Sequence, residues 1–311
     1  MIEFLRMMSK RRERWRTLLW NAVSEFKSNL SFINLRKSKE TKKSEKIIII
    51  NDCSFDAEHQ QFEFAEENSG IYKNRRSVSL NCNRSCPGYA YIDDKMENVI
   101  NYSLMNGINV QHYGVQITLK EVKQLYEGRW VNDNIIDLYL CMIQMRSMNS
   151  KGNFLKVYCF SIFYSMEIAK DKFEKICHYT RKEKLHEKDL LYFPVNINEN
   201  HWALIVVNVR LRSISWCCSF GSFNNFLLEK VFGFLKMKFQ KEEYEYNPSS
   251  WSLIPKLPVP LQRNMIDCGL FLMKNVEFSS RGSDLSYTQN EMRYFRHRMI
   301  YEIIKKDLIY P

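Results

Sequence analysis

Cys268 lies in the stretch "QRNMIDCGLF" (residues 262–271), where a polar segment gives way to an apolar run. If the run "GLFLMKNVEF" is a helix, the thiol lies at its N-terminus, where unpaired amides and the helix dipole favour a thiolate. Gly269 follows directly and lets the backbone approach closely. A thiolate in such a position is the attacking group of cysteine hydrolases, so Cys268 is a candidate nucleophile.

Two other side chains could complete this chemistry. His201 follows the polar turn "NINEN" and opens an apolar strand, an exposed edge suited to a general base. Gln262 lies six residues before Cys268, and its side-chain amide could stabilise an oxyanion together with the Cys268 amide. Each also has an ordinary alternative, because many cysteines are small buried apolar residues and many histidines at strand starts are simply exposed.

The surrounding elements are predicted from apolar spacing. Thr118 and Glu121 form a capping box before a short helix that Gly128 closes. Asn132 or Asp133 caps the next helix, which has a broad apolar face and should be buried. Strand patterns occur in "LKVYCFS", "LLYFPVN", "WALIVVNV" and "SISWCCSF".

Two amphipathic helices follow these strands. They are "NNFLLEKVFGFLKMKF" before Cys268 and "TQNEMRYFRHRMIYEIIKKDL" at the end of the sequence. Helices at both ends with strands between them predict an α+β fold.

Charge is unevenly distributed along the 311 residues, whose net charge is +11. The first 50 residues hold 13 Lys and Arg against 5 Asp and Glu, and residues 51–100 are acidic in balance. Without sustained periodicity, residues 1–100 are predicted to be a basic, disordered segment. The clusters of Lys and Arg in this segment could be a nuclear localisation signal or could bind nucleic acid. The mild basic excess of the remainder favours an acidic partner surface.

Several classes of protein are not expected. Apolar runs are shorter than the ~18 residues a membrane span needs, and nothing resembles a secretory signal. Nine scattered cysteines indicate reduced thiols inside a cell rather than a disulfide framework. Cys82 and Cys86 lack a second pair of ligands at zinc spacing. We therefore predict a nuclear or cytoplasmic protein, or one found in both, with no membrane partner and no metal.

The segments "HWALIVVNV", "SISWCCSF" and "QRNMIDCG" together resemble the SUMO-specific cysteine proteases of the Ulp/SENP family (peptidase C48 type). "GRWVNDNIIDLYL" is similar to the family's Trp-Leu-Asn-Asp helix start, and "DLLYFPVNINENHW" to the strand that precedes its histidine. The resemblance covers about residues 104–311. It implies a papain-like α+β domain over 101–311, with a mixed or antiparallel sheet flanked by helices.

The resemblance also implies roles for individual residues. Cys268 would attack the carbonyl of the C-terminal Gly-Gly of SUMO, with His201 as base and then acid and Gln262 in the oxyanion hole. Trp130 and Trp202 would cover the flat glycines, although an indole is more often core packing. Asp133 would pair with a SUMO arginine, besides its possible role as a helix cap. SUMO and its conjugates would be the partners, and neither cofactor nor metal is implied.

One position departs from the family pattern. The strand "ISWCCSF" places Cys218 where the family has its catalytic aspartate. That aspartate orients and charge-stabilises the imidazole, and its loss lowers the turnover of a serine enzyme by about 10⁴-fold. A one-residue slip offers only Cys217 or Ser219, which would point to the opposite strand face. Asn224 or Asn225, in the next loop, could reach inward instead.

Several interpretations stay open. The chain could be a SUMO protease, acting on precursors or conjugates, with activity impaired by Cys218. It could be a catalytically silent SUMO-binding pseudoprotease, or a protease for another ubiquitin-like modifier. Retention of Cys268, His201 and Gln262 favours an enzyme. We expect a monomer, and we do not expect nucleic-acid binding as the main activity, because only the N-terminal clusters favour it.

Overall fold

A five-stranded mixed sheet forms the centre of the fold in the computed structural model, which describes residues 89–150 and 152–309. The strands are β1 (Asn109–His112), β2 (Val115–Thr118), β3 (Val157–Cys159), β4 (Leu190–Ile197), β5 (His201–Asn208), β6 (Ser213–Cys217) and β7 (Ser252–Ile254). Strands β1 and β2 form a separate hairpin, and the others lie in the order β3-β4-β5-β6-β7. The central pairs β4–β5 and β5–β6 are antiparallel, whereas the outer pairs are parallel.

Strand β5 is the middle strand, and both of its faces are buried. Its alternate side chains enter two different apolar clusters, as the period of two in a strand requires. One cluster takes Trp202, Leu204 and Val206, and the other takes Ala203, Ile205 and Val207. The sheet is therefore covered on both faces.

Helices supply the two coverings. They are α1 (Asp94–Asn106), α2 (Leu119–Tyr126), α3 (Asp133–Asn149), α4 (Ile162–Ala169), α5 (Phe173–Tyr179), α6 (Asn225–Lys241), α7 (Cys268–Ser280) and α8 (Met292–Lys305). Helices α3, α7 and α8 contribute to the cluster that contains Trp202, and α5 and α6 to the other.

Helix α7 is the most enclosed element, because every one of its residues is buried. Its buried charges are paired, as burial demands. Arg146 of α3 donates from Nη1 to Oε1 of Glu277 at 3.1 Å. Lys274 donates from Nζ to the Tyr139 hydroxyl at 3.0 Å, and burial lowers the pKa of its ammonium to about 8. These contacts fix the helix that begins with Cys268.

The predicted α+β class is confirmed by this sheet and its flanking helices. Thr118 and Glu121 form the predicted capping box at the start of α2, and Gly128 follows its end with a φ of 70°. Of the two cap candidates for α3, Asn132 is the cap, since its side chain accepts from the Ile135 amide at 3.2 Å. Asp133 is the first residue of the helix, so its role as a cap was a wrong alternative.

Helix α1 spans the predicted boundary at residue 100. Tyr89 lies against the rings of Tyr294 and Phe295, with centroids 5.7 and 5.0 Å away. Residues 89–100 therefore pack with the fold, and the boundary belongs earlier in the chain. The rest of the predicted disordered segment, residues 1–88, lies outside the described residues. Within 89–150 and 152–309, no helix has the length and apolarity to cross a membrane.

Candidate active site

Cys268 is the first residue of α7, as predicted, and its side chain is buried. Burial raises the pKa of the thiol, and the backbone amides of Trp202 and Gly269 oppose that effect by favouring the thiolate. The net effect is that the pKa of the Cys268 thiol is raised. The backbone amides at the start of α7 favour the thiolate as predicted, but desolvation outweighs them.

Residue 269 must be glycine, because its neighbours leave no room for a side chain. A Cβ on this residue would lie 2.3 Å from Cγ2 of Val131 and 3.2 Å from Cδ1 of Trp202. The close neighbours are thus two side chains, whereas the sequence argument expected an approach of backbone. The consequence is that α7 begins directly against the segments that carry Trp130 and Trp202.

His201 opens β5 and is buried. Its Nε2 lies 3.1 Å from Sγ of Cys218, and its Nδ1 hydrogen-bonds to none of the described residues. Because the next residue, Trp202, presents its amide to Cys268, thiol and imidazole lie at the same end of β5. Burial lowers the pKa of His201 to about 4, so the ring is neutral at physiological pH.

Cys218 follows directly after β6 and takes the position beside the imidazole that the sequence comparison gave it. The β5–β6 register pairs Leu204 with Cys217, so Cys218 lies on the face of His201 and Cys217 on the other. Oγ of Ser222 lies 3.0 Å from Sγ of Cys218. The result is a chain of three uncharged groups: imidazole, thiol and hydroxyl.

Within the described residues, the His201 side chain hydrogen-bonds to Cys218 and to no carboxylate, so no acid takes the place of the absent aspartate. Asn224 caps α6, accepting from the Leu227 amide at 3.0 Å, and Asn225 is the first residue of that helix. Cap formation occupies the Asn224 oxygen. The suggestion that this loop supplies a substitute for the acid is therefore not supported by the geometry.

The Gln262 amide is held in one orientation. Its Nε2 donates to the carbonyl of Asn264, which can only accept, so its Oε1 must be the atom that accepts from Oγ of Ser219 at 2.6 Å. The Gln262 backbone amide also donates to the Ser219 carbonyl at 2.9 Å. One N–H of the side-chain amide remains for an oxyanion.

Asp267 connects the nucleophile to the rest of the site. Its buried carboxylate accepts from Nε of Arg296 at 3.0 Å and from the Asn264 and Gln289 amides at 2.7 and 2.6 Å. Arg296 also donates to the carbonyl of Arg129 at 2.7 Å. One guanidinium therefore ties the residue before Cys268 to the residue before Trp130.

Trp130 and Trp202 lie side by side at the nucleophile. Their ring centroids are 6.4 Å apart at an angle of 36°. Trp202 is buried and donates to the Val131 carbonyl at 3.1 Å, whereas half-buried Trp130 donates to the Met265 carbonyl at 3.0 Å. Asp133 is exposed nearby at the start of α3. Trp202 is thus both part of the core and part of the site.

Sequence reasoning missed the residues that hold this arrangement, and it considered Ser219 only as a substitute for the aspartate. Ser219, Ser222 and Arg296 carry no chemistry of their own, and Arg296 reaches Asp267 from a helix 29 residues further on. Only the position of Ser219 and Ser222 near Cys218 could have indicated them. Across 89–150 and 152–309, no three His, Cys, Asp or Glu side chains are grouped as a metal site. Cys82 and Cys86 lie outside the described residues.

Comparison with protein families gives one match to a family model. Residues 129–308 match the model described as Ulp1 protease family, C-terminal catalytic domain. A sentrin-specific protease of Caenorhabditis elegans is 31% identical over 201 residues, which cover 64% of this chain and 29% of the relative. The ubiquitin-like-specific protease 1A of Arabidopsis thaliana is 30% identical over 200 residues, covering 61% and 40%. This chain therefore spans less than half the length of these curated relatives.

Solved structures show the same fold. A SUMO protease Ulp1 with its catalytic cysteine oxidised to a sulfenic acid superposes with a TM-score of 0.61 at 19% identity, covering 70% of this chain and 97% of that one. The C-terminal Ulp1 protease domain in complex with SMT3, the yeast orthologue of SUMO, gives a TM-score of 0.58 at 20% identity, covering 68% and 95%.

Proposed function

Since the chain belongs to the Ulp1 protease family, a family of cysteine proteases, we propose that it hydrolyses the bond after the C-terminal Gly-Gly of SUMO. The bond would be a peptide bond in a precursor or an isopeptide bond to a lysine. One observation carries the proposal: the sulfur of Cys268 faces the Trp202 amide, so it lies where His201 begins β5. That placement supports Cys268 as the nucleophile and His201 as the base.

The reaction would follow from the positions of three groups. Nδ1 of His201 takes the thiol proton as the Cys268 sulfur bonds to the carbonyl carbon. The carbonyl oxygen becomes an oxyanion near the Cys268 amide and the remaining N–H of Gln262. The C–N bond then breaks as the imidazolium returns its proton to the amine. Water, deprotonated by His201, hydrolyses the thioester and restores the thiol.

Cys218 is the weak point of this mechanism. During the reaction His201 carries a positive charge, which the thiol of Cys218 at 3.1 Å cannot neutralise as a carboxylate would. Burial already disfavours the imidazolium, with a pKa of about 4. We therefore propose an enzyme of reduced turnover. The penalty should be smaller than in a serine enzyme, because a thiol ionises more readily than a hydroxyl.

The choice of SUMO as substrate is supported by the two indoles and by the names of the relatives. A chain passing between Trp130 and Trp202 would have to lack side chains, as a Gly-Gly tail does. Asp133 is exposed beside them for a basic residue of the modifier. The basic balance of residues 101–311 favours SUMO over other ubiquitin-like modifiers. We also propose that the protein acts as a monomer in the nucleus or cytoplasm.

A second candidate is a silent SUMO-binding pseudoprotease, and the neutral contact between His201 and Cys218 favours it. The two candidates differ in whether Cys268 can attack. A SUMO carrying a C-terminal electrophile, followed by intact-mass spectrometry, measures this directly. Wild type should form a covalent adduct, and Cys268→Ala should not. Cys141→Ser, which changes a half-buried free thiol of α3, should react like wild type. Binding of SUMO without an adduct would establish the pseudoprotease.

A further inference from the structure

Exposed phenylalanines are concentrated in the segment that follows Cys218. Among the described residues four phenylalanines are exposed, and three of them, Phe220, Phe223 and Phe226, follow Cys218 within eight positions. The ring of Phe220 lies against the imidazole of His201, with centroids 4.7 Å apart. Apolar side chains grouped on a surface mark contact sites more often than isolated ones do.

Leu261 brings a second segment to this surface. Residue 262 is tied to residue 219 by a 2.9 Å backbone hydrogen bond, so Leu261 runs beside Phe220. A Cβ at Gly221 would lie 3.4 Å from Nζ of Lys256 and 3.7 Å from Cδ2 of Leu261, so both side chains border the turn that follows Phe220. Leu261 is 56% exposed and Phe220 is 41% exposed. We call these two side chains the 220/261 patch.

The chemistry of the reaction determines which part of a substrate lies at this patch. His201 must protonate the leaving amine, so the chain that carries the amine lies against the imidazole. His201 and Trp202 are consecutive in β5 and project to opposite faces. In the proposed function the indoles cover the Gly-Gly tail on the acyl side of the scissile bond, and the 220/261 patch, whose Phe220 lies against the imidazole, is then on the leaving-group side.

We infer that the 220/261 patch determines specificity for the leaving group and favours a large apolar side chain next to the scissile lysine. The inference rests on the proposed function and deepens it. The occupant is a segment of the modified protein, and its position is continuous with the site of bond cleavage. Burial of one apolar side chain against Phe220 and Leu261 gives a preference of about tenfold in kcat/KM, the range typical of an apolar pocket.

Two matched isopeptide substrates test this inference. SUMO is linked to the lysine of a short peptide in which the preceding residue is Leu in one substrate and Ser in the other. Both are cleaved by the full chain and by its Cys218→Asp variant. The Leu substrate should be about tenfold better, and Leu261→Ser should bring the ratio of the two kcat/KM values to near one. Phe163→Ser, which alters a comparably exposed phenylalanine on α4, should leave the ratio at its wild-type value.

The outcomes separate this inference from the proposed function. Equal rates for the two substrates, or an unchanged ratio in Leu261→Ser, would overturn the specificity role while the protease assignment stands. A loss of preference in Phe163→Ser as well would overturn it too, because the effect would not be local. If neither the wild-type chain nor Cys218→Asp cleaves the two substrates, the proposed function is overturned, and the inference with it.

Discussion

Nε2 of His201 lies 3.1 Å from Sγ of Cys218, so the group that could fix the tautomer of the imidazole is a thiol. A carboxylate can only accept, so it holds the proton on Nε2 and leaves Nδ1 free to act as base. A thiol can donate as well as accept, and only when it donates does the ring proton lie on Nδ1, the nitrogen needed for catalysis. Compared with an aspartate at this position, Cys218 therefore supplies neither the negative charge nor the selection of one tautomer.

The first prediction concerns the titration of His201. In Cys218→Asp the carboxylate should raise the pKa of the imidazole well above about 4, because it stabilises the imidazolium. The ring proton should also move to Nε2. Nitrogen-15 NMR of labelled histidine measures both quantities. Cys218→Asn serves as the control, since it keeps a polar group without charge and should give a much smaller shift. Equal shifts in the two variants would show that charge is not the cause.

The second prediction concerns stability at low pH. The pKa of histidine is near 6.5 in the unfolded chain and about 4 for His201 in the folded protein. Between these pH values the unfolded chain binds one more proton than the folded protein, so the free energy of unfolding decreases as the pH is lowered. For His201 the loss between pH 7.5 and pH 5 is about 2 kcal/mol. Urea unfolding of wild type and His201→Gln at both pH values measures it. The variant should lose less stability on acidification by about this amount, and an identical loss would contradict the neutral buried ring.

The third prediction follows from the contact between α7 and Val131. Gly269→Ala should destabilise the fold by about 1–3 kcal/mol, because the added methyl meets Cγ2 of Val131 at 2.3 Å. Val131→Ala should also destabilise when introduced alone, by leaving a cavity. Combined, the two changes should cost less than the sum of their separate effects. Additive free energies of unfolding would show that the two residues do not meet.

The fourth prediction assigns a positioning role to Ser219. Ser219→Ala should lower kcat with little change in KM, because Gln262 loses the hydrogen bond that fixes its amide. Gln262→Ala should lower kcat more, by about 10²-fold, as loss of an oxyanion donor does. In the Gln262→Ala background, Ser219→Ala should have almost no further effect. An equal loss in both backgrounds would indicate that the serine acts through the fold and not through Gln262.

Much of the fold could be predicted, because apolar periodicity is local. The central strands and helices α2, α3, α6 and α8 were all indicated by spacing and caps. The hairpin of β1 and β2 and strand β7 were missed, since strands of three or four residues are too short to show a period. Helices α1, α4 and α5 were also not assigned.

The sequence suggests which groups of the candidate site would react, but it could not give the energetics of the site. Motif spacing identified Cys268, His201 and Gln262, and their roles remain predictions until the kinetics are measured. The net direction of the Cys268 pKa depends on how deeply α7 is buried, which no local pattern specifies. Likewise, the tie between Arg296 and Asp267 depends on how α8 packs against the loop before α7.

The most direct test of the account is a kinetic comparison of three proteins on one SUMO fusion. Wild type, Cys268→Ser and Cys218→Asp are assayed side by side for release of the segment that follows Gly-Gly. The account predicts slow cleavage by wild type, none by Cys268→Ser, and a rate at least tenfold above wild type for Cys218→Asp, as restored charge and tautomer stabilise the imidazolium. Cleavage that persists in Cys268→Ser, or no gain in Cys218→Asp, would contradict it.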